Sequence, residues 1–226
     1  MKKKLICGLL CAGLCLGSVS AAGAEDSFTD VKETDWFAPY VTICVDNGLM
    51  KGTGSGSFNP AGTITVAEVA TIAARLGASN RGASIPPAPA GAAWYAPYLD
   101  YLKGYGVTVG SAETPATRQD FISFLAAVTP SQELTVVNSI TTLPDTDDKN
   151  VLAFYNAGIL TGVDNYGTFA GERTLTRSEA AAMVSRMGTR SRGRTSISAA
   201  GTAAQGVRVN TWPKASSRER STAGRG

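Results

Sequence analysis

Three segments of the chain open with the same four-residue signature of a helix start, and their spacing limits the possible folds more than any bulk property does. Thr65-Val-Ala-Glu68, Thr117-Arg-Gln-Asp120 and Thr176-Arg-Ser-Glu179 each place a threonine hydroxyl to accept from the backbone three residues on, and an acid that reaches back to the threonine N–H. This is the reciprocal capping box. Asp120 has the shorter arm and is expected to close its box less well. Ile64 and Leu175 precede the caps and Val69 and Ala180 follow, at the positions of a hydrophobic staple. Apolar residues then recur at helical spacing: Val69, Ile72, Ala73, Leu76; Phe121, Phe124, Leu125, Val128; Ala180, Met183, Val184, Met187. Gly77 and Gly188 are expected to stop the outer two helices and Pro130 the middle one.

An earlier helical pattern precedes each cap. Trp36-Phe-Ala-Pro-Tyr40 returns as Trp94-Tyr-Ala-Pro-Tyr98, an offset of 58, and both continue to a glycine, Gly48 and Gly106. Trp36, Tyr40, Ile43 and Cys44 match Trp94, Tyr98, Tyr101 and Leu102, one face of an amphipathic helix. Val151-Leu-Ala-Phe-Tyr-Asn-Ala-Gly158 is a third copy, without tryptophan. From tryptophan to capping threonine takes 29 residues in the first copy and 23 in the second. The piece missing from the second holds the Gly-x-Phe turn seen as Gly56-Ser-Phe58 and Gly167-Thr-Phe169, so a tight turn is expected there. Repeats of this size cannot bury their apolar faces alone and are expected to fold as one unit.

The ends are of another kind. Lys2, Lys3 and Lys4, an apolar run from Leu5 to Leu16, and Ala22-Gly23-Ala24 form a secretory signal pattern, with cleavage before Glu25. The run is too short to span a membrane, so the mature chain is expected to carry no transmembrane segment. Cys7, Cys11 and Cys15 leave with it, and Cys44 is expected to be a buried thiol. Residues 189–226 are basic, poor in large apolar residues and expected to be disordered. The expected organisation is signal peptide 1–24, repeat one 25–77, a Pro/Gly/Ala linker 78–93, a degenerate repeat two 94–129, a linker 130–142, repeat three 143–188 and the tail 189–226.

Charge follows this division. Residues 25–187 hold 10 Lys and Arg against 17 Asp and Glu, while 188–226 hold eight basic residues and one acidic. An acidic body argues against nucleic acid as a partner. The chain has no histidine, which removes Ser-His-Asp and Cys-His catalysis and His-dependent metal sites. Asp145-Thr-Asp147-Asp148-Lys149-Asn150 has the acidic spacing of a calcium loop but puts lysine at a ligand position and lacks the turn glycine and closing glutamate. No metal, cofactor or enzymatic activity is expected.

Phe28-Thr-Asp-Val31, Trp36, Asn47-Gly-Leu-Met50, Gly52, Gly56-Ser-Phe-Asn-Pro60 and Ile64-Thr-Val-Ala-Glu68, repeated in part as Ala157-Gly-Ile-Leu160, Gly167-Thr-Phe169 and Leu175-Thr-Arg-Ser-Glu179, resemble the S-layer homology family across Phe28 to Met187. The resemblance implies an all-α fold, three helix-loop-helix repeats packed as a pseudo-threefold spindle with grooves between its prongs. It implies non-covalent anchoring of an exported protein to the cell wall through a secondary cell-wall polysaccharide, often pyruvylated, or through peptidoglycan-linked polymer. A cell-wall hydrolase fragment targeted by such repeats, and an envelope subunit without glycan binding, are the competing readings.

In that family an arginine after the capping threonine points into a groove, which carries over to Arg118 and Arg177. The first repeat has Val66 there, so its groove is expected to be weakened or silent. Trp36 and Trp94 match the family tryptophan, and on an apolar face they serve either as core or as the aromatic platform for a sugar. Arg118 and Arg177 stand at the first helical position, where a cation opposes the helix dipole, so a bound anion or an acidic neighbour is expected as partner. Helix-start N–H groups are expected to share a ketal carboxylate with the arginines, and removing either arginine is expected to cost little stability.

Overall fold

The computed structural model describes residues 28–190; the expected signal peptide and most of the basic tail lie outside them. Among the described residues six α-helices are present, α1 (Ala38–Asp46), α2 (Val66–Asn80), α3 (Ala96–Lys103), α4 (Arg118–Val128), α5 (Lys149–Asn156) and α6 (Arg177–Arg190), with one 3-10 turn at Ser131–Glu133. The fold is all-α. Extended pairing among the described residues is limited to isolated bridges. None of the described helices is long and apolar enough to cross a membrane.

The capping boxes set the starts of the longer helices. Thr65 and Glu68 bond reciprocally, as do Thr176 and Glu179. Thr117 and Asp120 close an equally complete box, N–H to carboxylate at 2.9 Å and N–H to hydroxyl at 3.1 Å, so the shorter acid is no handicap. The three apolar sets behind the caps are buried as their spacing predicts.

Two expected stops are corrected. α2 continues through Gly77 to Asn80, and α6 through Gly188 to Arg190. At Gly77 a Cβ would lie 2.8 Å from Cβ of Val128, so the missing side chain allows close approach of α2 and α4 instead of ending a helix. The end of α2 is held by Arg81, which donates to the carbonyls of Gly77 and Val128, a cation at the negative end of the helix dipole.

A ring of backbone hydrogen bonds joins the repeats. Ile64 N–H donates to Leu175, Leu175 to Ala116, and Ala116 to Ile64, at 2.9–3.0 Å. All three residues are fully buried, and they mark a pseudo-threefold axis. The helices obey the same cyclic rule. The first helix of each repeat packs on the second helix of the repeat before: α3 on α2, α5 on α4, and α1 on α6, which closes the ring.

Loops of neighbouring repeats satisfy the first N–H groups of the capped helices. Val66 and Ala67 donate to Thr114 and Ala112, Arg118 and Gln119 to Arg173 and Gly171, and Arg177 and Ser178 to Gly62 and Pro60. The next N–H in each helix goes to its capping threonine. The expectation that helix-start N–H groups share a ligand carboxylate is therefore corrected: buried donors must be paired in the folded chain, and these already are.

In repeats one and three the Gly-x-Phe turn is organised by an acid from the start of the same repeat. Asp30 accepts from Ser57 Oγ and from Phe58 and Asn59 N–H; Asp145 accepts from Phe169 and Ala170 N–H. Asp145 and Asp148, the core of the calcium-like run, are thus engaged in backbone bonding, Asp148 as the cap of α5. The turn lets Phe58 and Phe169 plug the core. Cys44 is a buried thiol donating to the carbonyl of Ala181, its pKa pushed up to about 12 by burial.

Candidate functional site

Trp36 and Trp94 stand on the turns that precede α1 and α3. The Ala-Pro pair behind each tryptophan occupies the first two helical positions, so helical spacing counted from the tryptophan does not apply, and α1 buries Ala38, Val41 and Cys44. The indoles are 59% and 53% exposed. Of the two roles left open for them, core packing is ruled out by this exposure.

Arg118 and Arg177 do the opposite. Each is almost wholly buried and reaches from the first turn of its helix into the preceding loop of another repeat. Arg118 Nε donates to the Phe169 carbonyl at 2.8 Å and one Nη to Thr161 at 2.9 Å; its guanidinium lies 5.4 Å from the centre of the Phe169 ring. Arg177 repeats this geometry on repeat one: Nε to Phe58 at 2.8 Å, Nη to Lys51 at 2.7 Å, and the Phe58 ring at 4.9 Å. The expectation that these arginines matter little to stability is corrected. A buried guanidinium needs acceptors to offset its desolvation, and the carbonyls that accept from these two tie one repeat to the next.

The exposed indoles and buried guanidiniums meet in two grooves. One, of about 520 Å³, is lined by Trp36, Arg118, Thr161 to Val163, Arg173, Glu179, Met183 and Arg186. The other, of about 630 Å³, is lined by Trp94, Arg177, Leu49 to Thr53, Glu68, Ile72, Arg75 and Tyr98. Each draws on three repeats: a loop and second helix from one, the tryptophan from the next, the arginine from the remaining one. No single repeat carries tryptophan, arginine and full-length loop, yet the cyclic packing assembles the set twice.

Arg75 and Arg186 are a second matched pair that spacing alone did not single out. Arg75 lies 5.0 Å over the Tyr98 ring and donates to Leu49, and Arg186 lies 5.3 Å over Tyr40 and donates to Ile159. These contacts fix the groove walls, since an arginine on an aromatic face is held in orientation by cation–π attraction.

The third groove has neither device. It is lined by Tyr105, Val107, Thr108, Ser123, Phe124, Ala127 and Asn150. Asn150 stands at the repeat position of Tyr40 and Tyr98, and Val66 at that of the two arginines.

The electrostatics of the two furnished grooves differ. Arg177 is paired with Glu68, whereas Glu179, its counterpart, is paired with Arg173. Burial lowers the pKa of both buried guanidiniums, that of Arg118 to about 10, with the Arg173 charge adding to the effect. Both remain cations at neutral pH. Thr71, on the Trp94 groove, is buried and its hydroxyl has no hydrogen-bond partner among the described residues.

Residues 27–70 match the family model of the S-layer homology domain. The chain is 27% identical over 199 residues to the S-layer protein sap of Bacillus anthracis, 81% of this chain and 24% of the relative. It is 26% identical over 197 residues to the S-layer protein EA1 of the same organism, 80% of this chain and 22% of the relative. A shorter stretch of 51 residues is 40% identical to the middle cell wall protein of Brevibacillus brevis, 23% of this chain and 5% of the relative. The chain thus spans about a quarter of the length of the S-layer proteins it resembles along most of its own. The family resemblance read from the motifs is borne out by the family model over residues 27–70.

Proposed function

We propose that this chain works at the cell surface as a wall-binding module, without catalysis, holding an exported protein on the envelope through a secondary cell-wall polysaccharide that carries carboxylates such as pyruvate ketals. One observation carries the reading: an exposed indole and a buried guanidinium converge twice, in grooves built on the same plan. An indole face suits the apolar side of a sugar ring. A guanidinium at the groove wall suits a carboxylate, in a charge-assisted bond worth about 1.5–3 kcal/mol. The third groove, without either, is silent in this account. The S-layer homology match and the S-layer relatives agree with a surface role.

Co-sedimentation of the full chain with purified wall sacculi, before and after removal of ketal pyruvate, tests the reading. Binding that falls about ten-fold or more on depyruvylation is the expected result. Absence of binding to untreated walls would leave these repeats as an assembly element of the envelope.

A further inference from the structure

The two furnished grooves share a plan but not a charge arrangement, and the difference traces to a single residue. In the Trp94 groove Glu68 is bonded to Arg177, so the guanidinium wall presents a neutralised pair. In the Trp36 groove Glu179 occupies the corresponding place but is held by Arg173. The loop of repeat one has glycine, Gly62, where repeat three has Arg173. Two of the three guanidinium nitrogens of Arg118 are committed to the carbonyls of Phe169 and Thr161. The remaining one, Nη1, has no protein partner among the described residues, although Arg118 is only 3% exposed, and Arg118 lines the groove.

The formal charge of the two linings is alike, because Lys51 lies on the Trp94 groove. Lys51 is exposed, so its charge is screened by solvent and salt, while that of Arg118 is sheltered and fixed in direction.

We infer that the grooves divide the polymer between them: the Trp36–Arg118 groove takes its carboxylate-bearing unit, the Trp94–Arg177 groove takes an uncharged unit, and Arg173 sets the division by holding Glu179 off Arg118. Arg173 is a positioning residue in this scheme. Its loss frees Glu179 to turn to Arg118 as Glu68 does to Arg177, and the bonded carboxylate then competes with the ligand's. The inference rests on the function proposed above and deepens it.

The test is calorimetric titration of the full chain with two probes, a methyl hexoside carrying a pyruvate ketal and the same hexoside without it, with thermal melts as a check on folding. Trp36→Ala is expected to abolish preference for the acidic probe, and Trp94→Ala to leave that preference intact. Arg173→Ala is expected to weaken the acidic probe about ten-fold while the neutral probe is unchanged. Adding Glu179→Gln to Arg173→Ala is expected to restore acidic binding, since glutamine keeps the capping box but carries no charge. Equal acidic binding in Trp36→Ala and Trp94→Ala, or unchanged acidic binding in Arg173→Ala, overturns the division of the grooves and leaves wall binding standing. Failure of the parent chain to bind either probe overturns both.

Discussion

Arg118 and Arg177 serve two ends at once, and the residue scale is where these must be separated. Each anchors a neighbouring loop through two carbonyls, one of them on a buried phenylalanine that would lose its donor, so Arg118→Ala and Arg177→Ala are expected to lose about 2–4 kcal/mol of stability by denaturant unfolding. Lysine is expected to recover little of it, because one ammonium cannot reproduce the planar set of bonds. Thr71 makes the opposite case: its hydroxyl is buried without a partner among the described residues, so Thr71→Val is expected to raise stability by about 1 kcal/mol. A loss of stability in that variant would show the hydroxyl to be bonded in solution. The motifs brought out Trp36, Trp94, Arg118 and Arg177 as candidates. Their partners, the carbonyls of Phe58, Phe169, Lys51 and Thr161, were not legible, because a backbone acceptor leaves no mark on residue identity.

At the scale of elements, caps and core faces were readable and helix ends were not. A capping box is a local bargain between two side chains and two N–H groups, so Thr65, Thr117 and Thr176 point to their helices wherever those helices dock. The end at Gly77 depended on Val128, 51 positions away in the chain, and no local pattern carries that. Gly77→Ala is therefore expected to destabilise by about 1–3 kcal/mol through overpacking against α4, although alanine is the better helix former. The Gly-x-Phe turns lead to a pH prediction. Burial raises the Asp30 pKa, but bonds from Ser57, Phe58 and Asn59 outweigh it and leave it below the usual carboxylate range; Glu179 is likewise lowered, its burial outweighed by bonds from Arg173 and Thr176. A group depressed on folding contributes stability above its unfolded pKa, near 4, and loses it as pH falls through the folded value. Melting temperature is expected to drop as pH falls below about 4, and the drop is expected to shrink in Asp30→Asn.

On the scale of the whole molecule, the ring of Ile64, Ala116 and Leu175, with α1 packed on α6, makes the first repeat depend on the last. Unfolding of the described region is expected to be a single transition with coincident fluorescence and helical signals. The same closure explains why the grooves could not be read repeat by repeat. The inventory of any one repeat is incomplete, and tryptophan and arginine meet only after the ring closes. It also supplies the cleanest test of wall binding, because the tryptophans are exposed and their loss spares the core. The double variant Trp36→Ala/Trp94→Ala, titrated against purified wall polysaccharide alongside the parent chain, is expected to lose binding about ten-fold or more at an unchanged melting temperature, taking the apolar sugar surface covered by the indoles at about 25 cal/mol per Å². Parent-like affinity in that folded variant would contradict the assignment of the two grooves as the binding sites.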